Sequence, residues 1–95
     1  MDRLSTVDYL FLKFRSVYIK LEVVSKEFYP TLGRDKMLEK ARQQKFPFTC
    51  FRMDESQKGE FFVDIHELAR VLDEIYVRSY QSFKAAMQKS TKSKE

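Results

Sequence analysis

Pro30 is the residue that most limits what this chain can fold into. Proline has no N–H for the helix ladder and pushes the preceding Tyr29 away from helical angles, so any helix before it must stop there. Leu21, Val24 and Phe28 recur at helical spacing just ahead of it, which predicts a helix over Leu21–Tyr29 with those three inward. Thr31-Leu32-Gly33 reads as a turn, and a second helical pattern begins near Arg34. Along LGRDKMLEKARQQKFP (Leu32 to Pro47), Met37, Leu38 and Ala41 fall on one side. Lys36, Glu39, Lys40 and Gln43 fall opposite, at about 100° per residue. One face can therefore be buried while the other meets a partner.

Two short helices joined by a few residues that include a glycine form a helix-turn-helix unit. In that unit the first helix braces the second against a groove. A short helix with a lysine and glutamine face suits the DNA major groove, because cations neutralise phosphates and amides pair with base edges. The alternative is a solvated helix face, so the flanking sequence has to decide.

On the N-terminal side, residues 1–4 read as frayed. Ser5 or Thr6 can cap a first helix with Asp8 in its first turn. Val7, Leu10, Phe11 and Phe14 then define a stripe expected to be buried. Tyr9–Phe14 also suits a strand; the helical reading is preferred. Val17, Tyr18 and Ile19 read as extended.

After Pro47 the period turns extended. Phe48–Met53 is expected as a strand, Asp54–Gly59 (DESQKG) as a polar turn and Glu60–Val63 as the return strand. A hairpin directly after the second helix is a wing. Arg52, Gln57 and Lys58 lie on or near it, opposed by Asp54 and Glu55. Asp64 caps a final helix, with Glu67 three residues on in the manner of a capping box. Ile65, Leu68, Ala69, Leu72, Ile75, Tyr76 and Phe83 keep helical spacing, while Val71, Val77 and Tyr80 lie off that stripe. A helix apolar on more than one side buries more than one side, against the first helix or against a second copy of the chain. Residues 88–95 (QKSTKSKE) read as a cationic tail that touches DNA non-specifically.

The expected class is α+β and mostly helical: a winged helix-turn-helix with an N-terminal helix, a two-stranded wing and a long C-terminal helix. Residues 1–88 form one DNA-binding domain in this reading, with a disordered basic tail over 89–95. Ninety-five residues, 43% of them hydrophobic and 15% aromatic, suffice for one packed core. The formal charge of +4 is unevenly spread. Lys13 to Lys58 holds eleven Lys/Arg against six Asp/Glu, whereas Gly59 to Phe83 holds two against five. A basic surface for nucleic acid and an acidic one for another partner follow.

The single Cys50 excludes an internal disulfide framework and fits a reducing compartment. With no membrane-length apolar run and no signal-peptide pattern, the expected location is cytoplasmic and nucleoid-associated. One histidine, His66, and one cysteine cannot build a zinc site. A Cys50–His66 nucleophile pair lacks a third group to orient the base, so no enzyme and no cofactor are expected. Gly33 and Gly59 stand alone, without a glycine-rich phosphate loop. The aromatics sit mostly at core spacing, with Tyr18, Tyr29 and Tyr80 left open as stacking platforms.

The segments YLFLKF (9–14), VYIKLEVVSKEFYP (17–30), MLEKARQQKFPF (37–48) and FRMDESQKGEFFVDIHELARVLDE (51–74) together resemble the pyocin activator family of phage and prophage regulators. SQK followed by VDIHELA is the most specific part. More broadly, the order of elements resembles the excisionase-like and MerR-like winged-helix group. The first resemblance implies a small sequence-specific DNA-binding activator of phage-like genes. The second implies an architectural role, bending DNA to set the direction of recombination. The N-terminal MDRLST and the Lys/Ser tail depart from the family pattern and leave self-association open.

From geometry, the contact candidates are Arg34, Lys36, Lys40 and Gln43, flanked by Arg42, Gln44 and Lys45, with Glu39 able to accept from a cytosine amino group. Arg52, Gln57 and Lys58 add the wing. Expected partners are double-stranded DNA, a homodimer or cooperative array on it, and a polymerase subunit, repressor or recombinase. The rival reading is a protein-interaction module docking through Glu67, Asp73 and Glu74 of the last helix.

Overall fold

The computed structural model describes residues 4–54 and 60–93, with side chains to Lys89. Of residues 1–4, expected to fray, all but Leu4 lie outside the described residues, as does the tip of the DESQKG turn with Gln57 and Lys58. Among the described residues the chain is α+β, with four helices and one small antiparallel sheet.

Helix α1 spans Thr6–Phe14, which removes the strand alternative. The Ser5 hydroxyl caps it by accepting the Asp8 N–H at 3.2 Å, satisfying one of the orphan donors of the first turn. Arg15 ends it in the left-handed region at φ 59°, donating its N–H to the Phe11 carbonyl. Leu10 is fully buried and Val7 and Phe14 partly so, but Phe11, expected inward, is 46% exposed. The covered sector of α1 centres on Leu10 and Phe14, and Phe11 lies at its edge.

The extended stretch after α1 becomes strand β1 (Tyr18–Lys20). It pairs with β3 (Phe61–Asp64), which on its other side pairs with β2 (Phe51–Arg52). The sheet is thus three-stranded in the order β1-β3-β2, and the expected two-stranded hairpin is only part of it. A lone hairpin is marginal in water, and the third strand gives β3 partners on both edges. Tyr18 also packs edge-on against Phe51, at 5.6 Å between ring centroids.

β2 is shorter than the predicted Phe48–Met53. The aromatic residues ahead of it serve the core instead of a ladder: Phe46 and Phe48 stack at 5.2 Å and both are buried, as is Cys50. The backbone there is satisfied by side chains, with Thr49 N–H donating to Glu67 Oε1 at 2.9 Å and Gln44 bonding Cys50.

Helix α2 (Leu21–Phe28) follows β1 directly and buries Leu21 and Val24 as expected, with Phe28 partly buried. Tyr29 caps its C-terminal end and Pro30 follows. Helix α3 (Arg34–Arg42) starts after Gly33 and buries Met37 and Ala41. Gly33 has φ −72°, and a Cβ there would meet nothing within 4 Å, so the turn does not require glycine.

Helix α4 (Ile65–Ser93) grows straight out of β3, its first N–H bonding the Val17 carbonyl. Asp64 caps it by accepting the His66 N–H at 2.7 Å. Glu67 does not complete the expected capping box, because its carboxylate is held by Thr49 across the chain. Ile65, Leu68, Ala69 and Val71 are buried, but the core stripe ends at Leu72. Ile75, Tyr76 and Phe83, expected to continue it, are exposed, as are Val77 and Tyr80. A 29-residue helix is about 43 Å long, more than a domain of this size can cover. The molecule is accordingly 62 Å in its longest dimension, with a radius of gyration of 17.2 Å against roughly 12 Å for a compact chain of this length. The backbone of the expected basic tail is helical to Ser93, consistent with the helix-favouring Ala, Met, Gln and Lys that lead into it.

Candidate nucleic-acid interface

The exposed face of α3 follows from the burial of the opposite one. With Met37 and Ala41 turned into the core and Leu38 partly covered, Lys36, Glu39 and Gln43 occupy the outward sector. Gln43 Nε2 reaches Glu39 Oε1 at 3.5 Å, at the limit of a hydrogen bond, so both side chains can exchange this contact for another. Arg42 and Lys45 are exposed beside them.

Lys40 differs from its neighbours. Its ammonium lies 5.0 Å from the Phe46 ring centroid and 5.6 Å from that of Tyr29, and the residue is partly buried. This cation–π seat holds the charge at the edge of the outward face. Tyr29, left open as a stacking platform, packs edge-on to Phe46 and is partly buried, and burial raises its hydroxyl pKa, with the Cys50 charge adding to the effect. Tyr18 and Tyr80 remain about half exposed.

Gln44 takes a structural position. It has φ 52°, and its amide bonds both backbone groups of Cys50: Nε2 donates to the carbonyl at 3.0 Å and Oε1 accepts the N–H at 3.4 Å. It pins the loop that leads from α3 into the sheet.

The other edge of α3 borders a cleft of about 220 Å³ between that helix, the start of α2 and the sheet. Arg34, Arg42 and Arg52 line it together with Lys20, against Glu22 and Glu60. Glu22 pairs with Arg34 at 3.6 Å and Glu60 with Lys20 at 3.3 Å, all on solvent-accessible side chains. Four cations against two carboxylates leave a net positive cleft. Arg52 is its most constrained member: the guanidinium stacks on Phe61 at 4.4 Å, and its Nε is buried without a hydrogen-bond partner among the described residues. An unsatisfied charged donor is costly to leave unpaired, and an anion entering the cleft would relieve it. Lys20 was not among the sequence candidates. The available signal was the period-2 alternation of β1, which turns Tyr18 and Lys20 to the face opposite the buried Ile19.

The one histidine and one cysteine have other work. The His66 backbone and ring both bond the Asp64 carboxylate. Partial burial would raise the Asp64 pKa, but those bonds, the charge of His66 and the Glu67 N–H outweigh it and hold the carboxyl below its usual range. Burial, with the Glu67 charge, pushes the Cys50 thiol up to about 11, the opposite of an activated nucleophile. The described residues include no group of three side chains suited to hold a metal, and no helix is long and apolar enough to cross a membrane.

Fold and site together define a small α+β domain that presents one polar helix face beside a cationic cleft. The family model described as pyocin activator protein PrtN matches residues 6–78, most of the chain, and the chain belongs to that family of regulatory activators. No curated protein and no solved structure matches it.

Proposed function

We propose that this chain is a phage-type transcriptional activator that binds double-stranded DNA sequence-specifically, as a winged helix with α3 in the major groove. The observation that carries the reading is the continuity of the outward face of α3 with the arginine-lined cleft. A helix seated in the groove turns its outward sector to base edges while cations along its margin meet phosphates. Lys36 and Lys40 then anchor phosphates and Gln43 reads a base, with Glu39 accepting from cytosine, while Arg34, in the cleft beside Glu22, joins the phosphate contacts. Arg42, Lys45 and Arg52 extend the backbone contact, and Gln57 and Lys58, which lie outside the described residues, are the remaining candidates. Gln44, held by Cys50, is left out of the contact set. Family membership supports the activator role over an excisionase-like one.

The interaction-module reading is weakened by the acidic groups of α4 themselves. Glu67 bonds Thr49 and pairs with Arg70, Glu74 pairs with Arg70 at 2.8 Å, and Asp73 accepts from the Thr6 hydroxyl. The deciding experiment is a salt titration of binding to fragments from the DNA around the protein's own gene, against random duplex. A tight, salt-sensitive complex on one fragment is expected, and its footprint separates a promoter from an attachment site. Equal weak binding to all fragments would refute the proposal.

A further inference from the structure

The distal half of α4 carries a second surface that DNA binding does not use. Every described side chain from Asp73 to Lys89 is exposed. Yet Tyr76, Tyr80, Phe83 and Met87 are 66, 47, 59 and 53% exposed and fall within one sector of about 60° on the helix. That sector continues the one holding Ala69 and Leu72, which the body covers. Tyr76 and Tyr80 stack on each other at 6.3 Å, so the aromatic strip is already ordered on its own helix.

We infer that this arm pairs with the same arm of a second copy, antiparallel and centred near Gln81. Three features of the chain choose this occupant and this direction. Large and small residues alternate along the strip: Tyr76 and Phe83 lie seven apart, as do Ser79 and Ala86, at the 3.5-residue average period of paired helices. Centring on Gln81 sets Tyr76 against the partner's Ala86 and Phe83 against the partner's Ser79, so each ring enters a gap. Parallel pairing sets ring against ring. Charge points the same way. The segment facing Gln81–Ser93 across that centre is Ala69–Gln81, with two carboxylates and two arginines, while Gln81 to Ser93 holds three lysines and no carboxylate. Antiparallel pairing keeps the lysines of the two copies apart, and parallel pairing stacks lysine on lysine. The area fits a concentration-dependent pair: the three rings leave roughly 350 Å² bare per copy and Met87 widens the strip, below the roughly 800 Å² per partner of a standard interface.

The inference does not depend on DNA and is tested without it. Sedimentation velocity over a concentration series of the full chain is expected to show a species of twice the 11.4 kDa chain mass. Phe83→Asp should weaken self-association by roughly thirtyfold or more, as loss of a buried aromatic anchor does. At concentrations where wild type is monomeric, the variant's circular dichroism and urea midpoint should match wild type, because Phe83 lies outside the core cluster. Direction is read by oxidative cross-linking with Cys50 left in place, since it is buried. A mixture of Tyr76→Cys and Ala86→Cys chains should form the mixed disulfide dimer, and Ala86→Cys alone should not. A single-chain mass at every concentration, self-association that Phe83→Asp leaves unchanged, or efficient self-cross-linking of Ala86→Cys would each overturn the inference.

Discussion

The Gln44 side-chain amide bonds the Cys50 backbone at both ends, replacing across six residues the two hydrogen bonds that a neighbouring strand would supply. The pairing stands where a longer β2 was expected, and it lets Phe46, Phe48 and Cys50 turn into the core. It also removes a glutamine from the face of α3. A surface residue with two such bonds is a stability element, whatever its charge neighbours do.

Gln44→Ala is therefore expected to lower unfolding free energy by about 1–3 kcal/mol, the cost of leaving buried backbone groups unsatisfied. Gln44→Gly loses the same bonds but relieves the positive φ, and should lose about 1 kcal/mol less. Urea unfolding monitored by circular dichroism measures both. Unchanged midpoints for the two variants would refute the structural assignment.

Under the proposed function, Lys36→Ala and Gln43→Ala separate two kinds of contact. Loss of the Lys36 cation should weaken binding to every duplex and lower the slope of log affinity against log salt by about one. Gln43→Ala should relax preference at one base position at a cost of roughly 1–3 kcal/mol on the specific site, leaving the salt slope intact. Anisotropy titrations on matched specific and random duplexes read both. Equal losses on both duplexes for Gln43→Ala would sink its base-reading role.

Arg52 tests the cleft. Arg52→Met keeps an unbranched side chain over Phe61 and removes the charge, so the fold should hold while the salt slope falls by about one. Arg52→Ala adds the loss of packing and should unfold at lower urea than Arg52→Met. A salt slope equal to wild type in Arg52→Met would exclude a phosphate contact by Arg52.

Asp64 sets an acid limit. Its folded pKa lies below its unfolded value, so it stabilises the fold above the unfolded pKa, and that contribution is lost as pH falls through the folded one. Asp64→Asn keeps an N-capping oxygen but not the charge. Wild type should exceed Asp64→Asn in stability at pH 7, with the gap closing below about pH 4. A gap that is constant from pH 7 to pH 3 in urea unfolding would contradict the assignment.

Much of the architecture was legible from local chemistry. Ser5 ahead of a helical stripe, Pro30 after one, and Asp64 before another mark helix ends through hydrogen-bonding capacity and steric limits that act within a few residues. The outward sector of α3 was legible for the same reason, since Met37 and Ala41 fix it by angle alone. What the tertiary structure decided lies between residues far apart in the chain. Val17–Ile19 carries no mark of a partner, and only Asp64, Val63 and Phe62 across the sheet make Tyr18–Lys20 a strand. Glu67 looks like half a capping box until Thr49 takes its carboxylate. Lys40 reads as one more exposed cation until Tyr29 and Phe46 come beneath it. The helical period of α4 runs unbroken past Leu72, but period reports which residues share a side, not where the body that covers that side ends. That end is set by the size of the domain, and it is why the same apolar spacing is core at Leu68 and surface at Phe83.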